Sequence, residues 1–391
     1  MSGVVIAVLI DAFGWRVLQE HPFLPELEER RPLRTVLGFS SAAIPSLLSG
    51  LRPEEHGRWF LFRHNPTESP FGFARLLAPF ERPGRFGARV RTAYKHAFRH
   101  TTDVTGYYNL YRVPLRLLPR FDLPETRPPF GPGGLDRPEG IFDRLSAARV
   151  PFRSWYWSTP EERSFRELVG EIRRGETPFL FLYAAGLDGL MHEVGTGAET
   201  VRARIGWYEE RIREALREAE RIHGAERTTL AVFSDHGMVD HTRVSDLMER
   251  VRRLPFREGR DYLPFYDSTF ARFWFHHDGA ERAIRELLDG EEGGRLLTDI
   301  EMRELGVLFP GREYGEAIFL SDPGTVIAPS FMGEKPARAM HGYHPDDPGS
   351  DAMFLANRPF PGSLRSILDL AGEMERAARN AGGEGRVGDR S

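Results

Sequence analysis

Residues Thr229–Met238 read TLAVFSDHGM. The apolar run Leu230-Ala231-Val232-Phe233 predicts a buried strand, and at its carboxyl end Asp235 and His236 stand side by side. In open α/β sheets, ligands bind in the crevice beyond the carboxyl ends of the strands. A carboxylate and an imidazole placed there suit a divalent cation, and Gly237 is expected to let the chain turn sharply away. Alone, Asp-His after a strand reads more often as a helix cap and a rim histidine. The pair gains weight because other strand ends carry matching groups.

Working outward, Val4–Ile10 (VVIAVLI) predicts a first strand, followed at once by Asp11. A helix is expected over 15–30 and a short strand over Arg34–Leu37. In Gly38–Gly50 (GFSSAAIPSLLSG), Ser40 and Ser41 open a helix that closes at Gly50. Serine there is an ordinary cap, but a helix N-terminus also stabilises an anion or an activated nucleophile. Pro151–Trp157 predicts a strand, Glu161–Arg174 a helix and Pro178–Ala184 a buried strand. Asp188 and His192 follow that strand four residues apart, on one face of a helical turn. Glu199–His223 is amphipathic, with Ile205, Tyr208, Ile212 and Leu216 on one stripe. Two strands are expected across 261–276 and a helix over Ala280–Leu288. His341-Gly342-Tyr343 lies in a loop before a final strand, Ala352–Ala356.

This alternation predicts an α/β fold, a mainly parallel central sheet with helices on both faces. Residues 1–370 read as one catalytic domain. Within it, 58–148 lacks regular periodicity, including the proline-rich excursion Leu118–Pro138, and reads as an irregular cap insertion near the site. Residues 371–391 read as a polar, disordered tail.

The 391 residues are 40% hydrophobic and 28% charged, ordinary for a globular protein. A net charge of -4 gives no electrostatic case for a nucleic-acid polymer. No apolar run reaches the roughly 18 residues that a membrane span needs, and Val4–Ile10 reads as a strand, not a signal peptide. With no Cys, any metal must be held by Asp, Glu or His; the same absence fits a cytoplasmic chain. Basic residues are almost all Arg, with Lys only at 95 and 335.

Asp11, Ser40 or Ser41, Asp188, His192, Asp235, His236 and His341 all lie after predicted strands or in glycine-punctuated loops, so a parallel sheet would gather them at one edge. Three carboxylates and three imidazoles suit two divalent metals. Such a pair can hold the attacking and leaving oxygens of a phosphoryl transfer.

These motifs resemble the alkaline phosphatase superfamily, closest to its type I phosphodiesterase/nucleotide pyrophosphatase branch. The resemblance covers Val4–Gly57, Phe179–Met238 and Ala339–Phe360. It is carried by Asp11, by Ser49-Gly50-Leu51-Arg52-Pro53-Glu54-Glu55-His56-Gly57, by Asp188-x-x-x-His192, by Ser234-Asp235-His236-Gly237-Met238 and by His341-Gly342-Tyr343. It implies one metal on Asp188, His192 and His341, and a second on Asp11, Asp235 and His236 beside the nucleophile. Zn2+ is expected, and Mn2+ would tolerate the same ligands. Counting ten residues back from Gly50 gives Ser40 as the nucleophile where the family usually has Thr; Ser41 is the rival. Met191 replaces the family's Gly before the second-motif His, and His56 reads as structural.

The implied function is metal-dependent hydrolysis of phosphodiesters or pyrophosphates in a small-molecule substrate. A phosphomonoesterase, a phosphonate hydrolase and a non-catalytic binding module are the alternatives. Substrate-binding residues are not assigned: Trp59, Phe60 and Tyr107 could stack on a base, but such residues more often pack.

Overall fold

The computed structural model describes residues 3–81, 85–135, 139–360 and 364–383. A six-stranded sheet is built from β1 (Val4–Ile10), β2 (Glu29–Leu33), β3 (Phe152–Trp155), β4 (Phe179–Ala184), β5 (Thr228–Phe233) and β6 (Ala352–Ala356), in the order β2-β6-β5-β1-β4-β3. The β3-β4-β1-β5 ribbon is parallel, whereas β6 runs antiparallel between β5 and β2.

Every residue of β1, β4 and β6 is buried, as continuous apolar runs covered on both faces require. Alternate side chains serve two separate cores. Val5, Ala7 and Leu9 join Phe179, Phe181 and Phe233 on one face, under Ala43 and Leu47 of the Ser40–Ser49 helix. Val4, Ile6, Val8 and Ile10 face the other way, against Phe165 and Leu168 of the Glu161–Arg174 helix and Ile205, Tyr208 and Ile212 of Glu199–His223. Three layers result, as the alternation of elements predicts.

The edge differs from expectation. The first helix stops at Glu20, because His21 precedes a proline and takes extended geometry. The second strand is Glu29–Leu33 and not Arg34–Leu37; its charges and Pro32 are tolerated because it pairs on one side only. Glycine at 237 is required by close approach. A Cβ there would sit 2.1 Å from the Gly349 carbonyl oxygen, and one on Gly14 would sit 2.3 Å from the Gly237 Cα.

The 58–148 segment is more regular than its composition suggests. It contains a 17-residue helix, Arg85–Thr101, whose Tyr94 and Phe98 are buried one turn apart. That stripe packs, with Phe62, Phe71, Leu118 and Phe121, onto a four-stranded antiparallel sheet of Tyr262–Tyr266, Phe270–Phe275, Ala317–Ser321 and Gly294–Leu296. Of the Leu118–Pro138 excursion, 136–138 lie outside the described residues. The disordered tail expected from residue 371 is corrected: Leu370–Gly382 is a helix. Its Leu370, Met374 and Ala378, four apart, are buried against the main sheet, and this stripe outweighs the polar composition around it. Residues 384–391 lie outside the described residues. Among the described residues no helix is long and apolar enough to cross a membrane.

Candidate active site

The register of the sheet sets the site. Leu9 pairs with Tyr183 on one side and with Phe233 on the other, so β1, β4 and β5 end level. Asp11 leaves the end of β1, Asp188 and His192 sit on the Gly186–Val194 helix after β4, and Asp235 and His236 follow β5. His341 arrives from the opposite direction. Met340 pairs with Val239, and the antiparallel β6 begins at this same edge.

Two clusters form. The ligand atoms of Asp11, Asp235 and His236 all lie within 4.8 Å of one another, and so do those of Asp188, His192 and His341. His236 Nε2 is 3.2 Å from Asp235 Oδ2 and 3.6 Å from Asp11 Oδ1. Asp188 Oδ1 is 3.2 Å from His192 Nε2 and 3.3 Å from His341 Nε2. The clusters touch through His236 and His341, whose rings stack 3.8 Å apart at 12°. All six sequence-predicted ligands are therefore brought together, grouped as the resemblance implies.

The surroundings suit a cation. His192 Nδ1 lies 2.8 Å from the Ala339 carbonyl and His236 Nδ1 lies 3.0 Å from that of Gly237. With Nδ1–H donated to backbone, each Nε2 lone pair faces its cluster, the usual arrangement of a metal-binding histidine. Asp188 Oδ1 and Asp235 Oδ2 are buried without a hydrogen-bond donor among the described residues. Burial, then the Asp235 and Asp188 charges, pushes the Asp11 carboxyl well up. Burial, with His236 beside it, drops His341 to about 3. Clustered carboxylates and a neutral imidazole are the donor set a hard or borderline divalent ion prefers.

Ser40 and Ser41 separate cleanly. Ser40 opens the Ser40–Ser49 helix, and its Oγ lies 3.0 Å from His236 Nε2 and donates to Asp11 Oδ1 at 3.4 Å. Ser41 Oγ donates instead to the Trp59 carbonyl, 3.0 Å away. His56 ends the short Pro53–His56 helix that follows and is structural, as expected. Its Nδ1 accepts from Arg58 N–H at 3.2 Å and its Nε2 meets Ser46 Oγ at 2.9 Å, a neutral ring that burial drops to about 3. Met191 is buried in the core. His344 turns to Glu301 and Asp346.

A cavity of about 540 Å³ opens over both clusters and Ser40. Tyr107, Tyr111, Glu125 and Phe130 from the 58–148 segment line it, with Trp157, Asp267 and Lys335. Of the aromatics marked by sequence, Trp59 and Phe60 are packing residues, fully buried, while Tyr107 is exposed on the cavity wall. Sequence reading passed over Tyr183, whose hydroxyl donates to Asp11 Oδ2. It also passed over Thr35, whose hydroxyl holds the Asp235 carbonyl at 2.7 Å. Tyr183 ends an apolar strand and looks like core; only its register beside Leu9, two residues before Asp11, signals a role.

The sequence model of the type I phosphodiesterase/nucleotide pyrophosphatase family matches residues 88–343, well over half of the chain. The chain belongs to this family. It is a phosphoric ester hydrolase of a metal-dependent group within the alkaline phosphatase superfamily. The match takes in Asp188, His192, Asp235, His236 and His341 but begins after Asp11 and Ser40. Among solved structures, human ectonucleotide pyrophosphatase/phosphodiesterase 5 matches this family member with a TM-score of 0.68 at 14% identity, over 96% of this chain and 95% of that one. The murine protein gives 0.64 at 15% identity, over 96% and 95%. An inactive murine variant in complex with AMP gives 0.64 at 16%, over 97% and 95%. At such identities the likeness carries the fold. No curated protein matches the chain.

Proposed function

We propose that this phosphodiesterase-family chain hydrolyses phosphodiester or pyrophosphate bonds with Ser40 as nucleophile. Asp11, Asp235 and His236 would hold one divalent ion, and Asp188, His192 and His341 a second. The observation that carries the reading is Ser40 Oγ, 3.0 Å from His236 Nε2 at the start of a helix. Two Zn2+ ions, or Mn2+ on the same ligands, would supply charge neutralisation at the phosphoryl oxygens and make the neighbouring hydroxyl easier to deprotonate.

The chain's own groups do the rest. Ser40 Oγ gives up its proton and attacks phosphorus; its bond to phosphorus forms as the bond to the leaving oxygen breaks and that oxygen takes up a proton. Water then cleaves the serine phosphodiester so formed, which still carries the other arm, to release a phosphomonoester and restore the hydroxyl. The first N–H groups of the Ser40–Ser49 helix lack intrahelical partners and favour the phosphoryl oxygens. Tyr183 and Ala12 N–H, the latter 3.2 Å from Asp235 Oδ1, fix two of the carboxylates.

The cavity supports a diester over a monoester, because it offers an aromatic wall for a second substituent on phosphorus. We read residues 58–148 as the cap that supplies much of this wall. The AMP bound to the murine relative supports a nucleotide-type small molecule. The test compares bis-p-nitrophenyl phosphate with p-nitrophenyl phosphate on zinc-loaded protein, with a chelated control. A chelator-sensitive preference for the diester is expected. A monoester preference would move the chain to the phosphatases, and no turnover of either would sink the nucleophile assignment first.

A further inference from the structure

One wall of the cavity carries a charge that neither cluster uses. Asp267, 6% exposed, lies in the turn between the Tyr262–Tyr266 and Phe270–Phe275 strands and lines the cavity with Phe265 and Ser268. Behind it, fully buried Arg272 donates from Nε to Asp267 Oδ2 at 2.8 Å and from Nη1 to the Phe62 carbonyl at 3.0 Å. Its guanidinium lies 4.0 Å from the Phe60 ring centre and 4.6 Å from that of Phe265. Besides the Arg272 guanidinium, the Asp267 carboxylate meets only its own backbone N–H among the described residues.

Buried ion pairs seldom add stability over an apolar packing of the same volume. An ion pair set into the wall of an aromatic cavity, with one carboxylate oxygen tied back to Arg272 and lone pairs left over on the cavity side, is an acceptor held for a visitor. Its position is fixed relative to the reacting centre. Thr269, two residues on, donates to the His341 carbonyl at 3.1 Å. Phe270 packs at 5.6 Å against Phe39, the residue before Ser40. Because Arg272 balances the charge, the site favours a neutral donor over a cation.

We propose that Asp267 is a specificity-determining residue that accepts a hydrogen bond from a hydroxyl or ring N–H on the non-reacting arm of the substrate. The inference rests on the diester reading above. Arg272 serves as the positioning residue that presents the carboxylate.

Asp267→Asn tests it without changing shape. Arg272 needs an acceptor, so the amide oxygen turns to it and the amide NH2 faces the cavity, replacing an acceptor by a donor. The p-nitrophenyl ester of thymidine 5′-monophosphate carries a hydroxyl and a ring N–H on its arm; bis-p-nitrophenyl phosphate carries neither, and both release p-nitrophenolate. In D267N the ratio of kcat/KM, thymidine ester over bis ester, should fall about 10- to 100-fold, the usual effect of leaving one buried partner unmatched. Calorimetric affinity for thymidine 5′-monophosphate should fall in parallel. An unchanged ratio, including equal loss on both substrates, overturns the assignment. Should D267N not fold, the double variant D267N/R272Q removes the unbalanced charge and is read in the same way. Absence of turnover in the wild type for both esters would instead count against the diester reading.

Discussion

The hydroxyl of Ser40 lies 3.0 Å from Nε2 of His236, while the neighbouring Ser41 is turned to the Trp59 carbonyl. One residue of helix rotation, about 100°, thus separates a group poised over the clusters from one tied to the backbone of buried Trp59. Ser40→Ala should lower kcat by ~10³-fold or more, as loss of a nucleophile does. Ser41→Ala should stay within about 10-fold and lose on the order of 1 kcal/mol of stability from its hydrogen bond. Acid quench of a substrate labelled at phosphorus should trap the phosphoryl group, with its remaining arm, on the wild type and on S41A but not on S40A. Label trapped on S40A would transfer the role to another residue.

The parts of this molecule that could be read ahead of the structure share a physical reason. β4 and β5 declare themselves because strands buried on both faces need unbroken apolar runs, and Glu199–His223 because its stripe repeats over seven turns. The six candidate ligands and Ser40 were legible because sheet topology sends strand ends to one edge. Leu370–Gly382 was not, since three apolar residues in a polar background fix a helix only when a sheet face waits for them. Asp267 was hidden for a related reason. In a Tyr-Asp-Ser-Thr turn an aspartate is the commonest of turn formers, and only tertiary placement beside Arg272 and the cavity gives it another meaning.

Chelation should cost stability as well as activity. Asp11, Asp188 and Asp235 crowd two clusters, and two of their oxygens have no donor among the described residues. A bound cation removes that repulsion only in the folded state, so it stabilises by mass action. Dialysis against a strong chelator should abolish turnover and lower Tm by several degrees, with both restored by Zn2+ or Mn2+. His341→Ala should retain less metal by elemental analysis than the wild type. A Tm indifferent to chelator would argue that the clusters hold no ion.

Arg272 and Asp267 should fail the single-deletion test asymmetrically with the double. Arg272→Met leaves Asp267 as an uncompensated carboxylate at a buried position and should destabilise by about 3–5 kcal/mol in urea denaturation. Asp267→Leu/Arg272→Met removes both charges and should recover most of that loss. Burial already lifts the Asp267 carboxyl to about 6 despite the guanidinium beside it, and without Arg272 it rises further. The R272M loss should therefore shrink as pH falls toward 6, where the variant's carboxyl takes up its proton ahead of the wild type's, and level off below. A double variant no more stable than R272M would mean that the packing of Arg272 against Phe60 and Phe265, not its charge, is what the fold uses.

Glu125 supplies a pH dependence that can be isolated. Its side chain accepts from the Tyr107 N–H at 2.8 Å, and burial lifts its carboxyl to about 7, against a smaller opposing effect of that hydrogen bond and of Arg58. A carboxyl that holds its proton more tightly when folded contributes fully below the unfolded value of 4.5 and loses that contribution as pH rises through about 7. Glu125→Gln keeps an acceptor for Tyr107 and never ionises. Its stability relative to the wild type should therefore rise between pH 4.5 and 7 and level off above. Allowing for the side chain's partial contact with solvent, the gain at pH 8 should be on the order of 1 kcal/mol. The remaining ionisable groups are common to both proteins and cancel in the difference. Urea midpoints measured for the pair from pH 5 to 8 decide the matter: parallel curves would mean that Glu125 ionises in the folded protein as readily as in water.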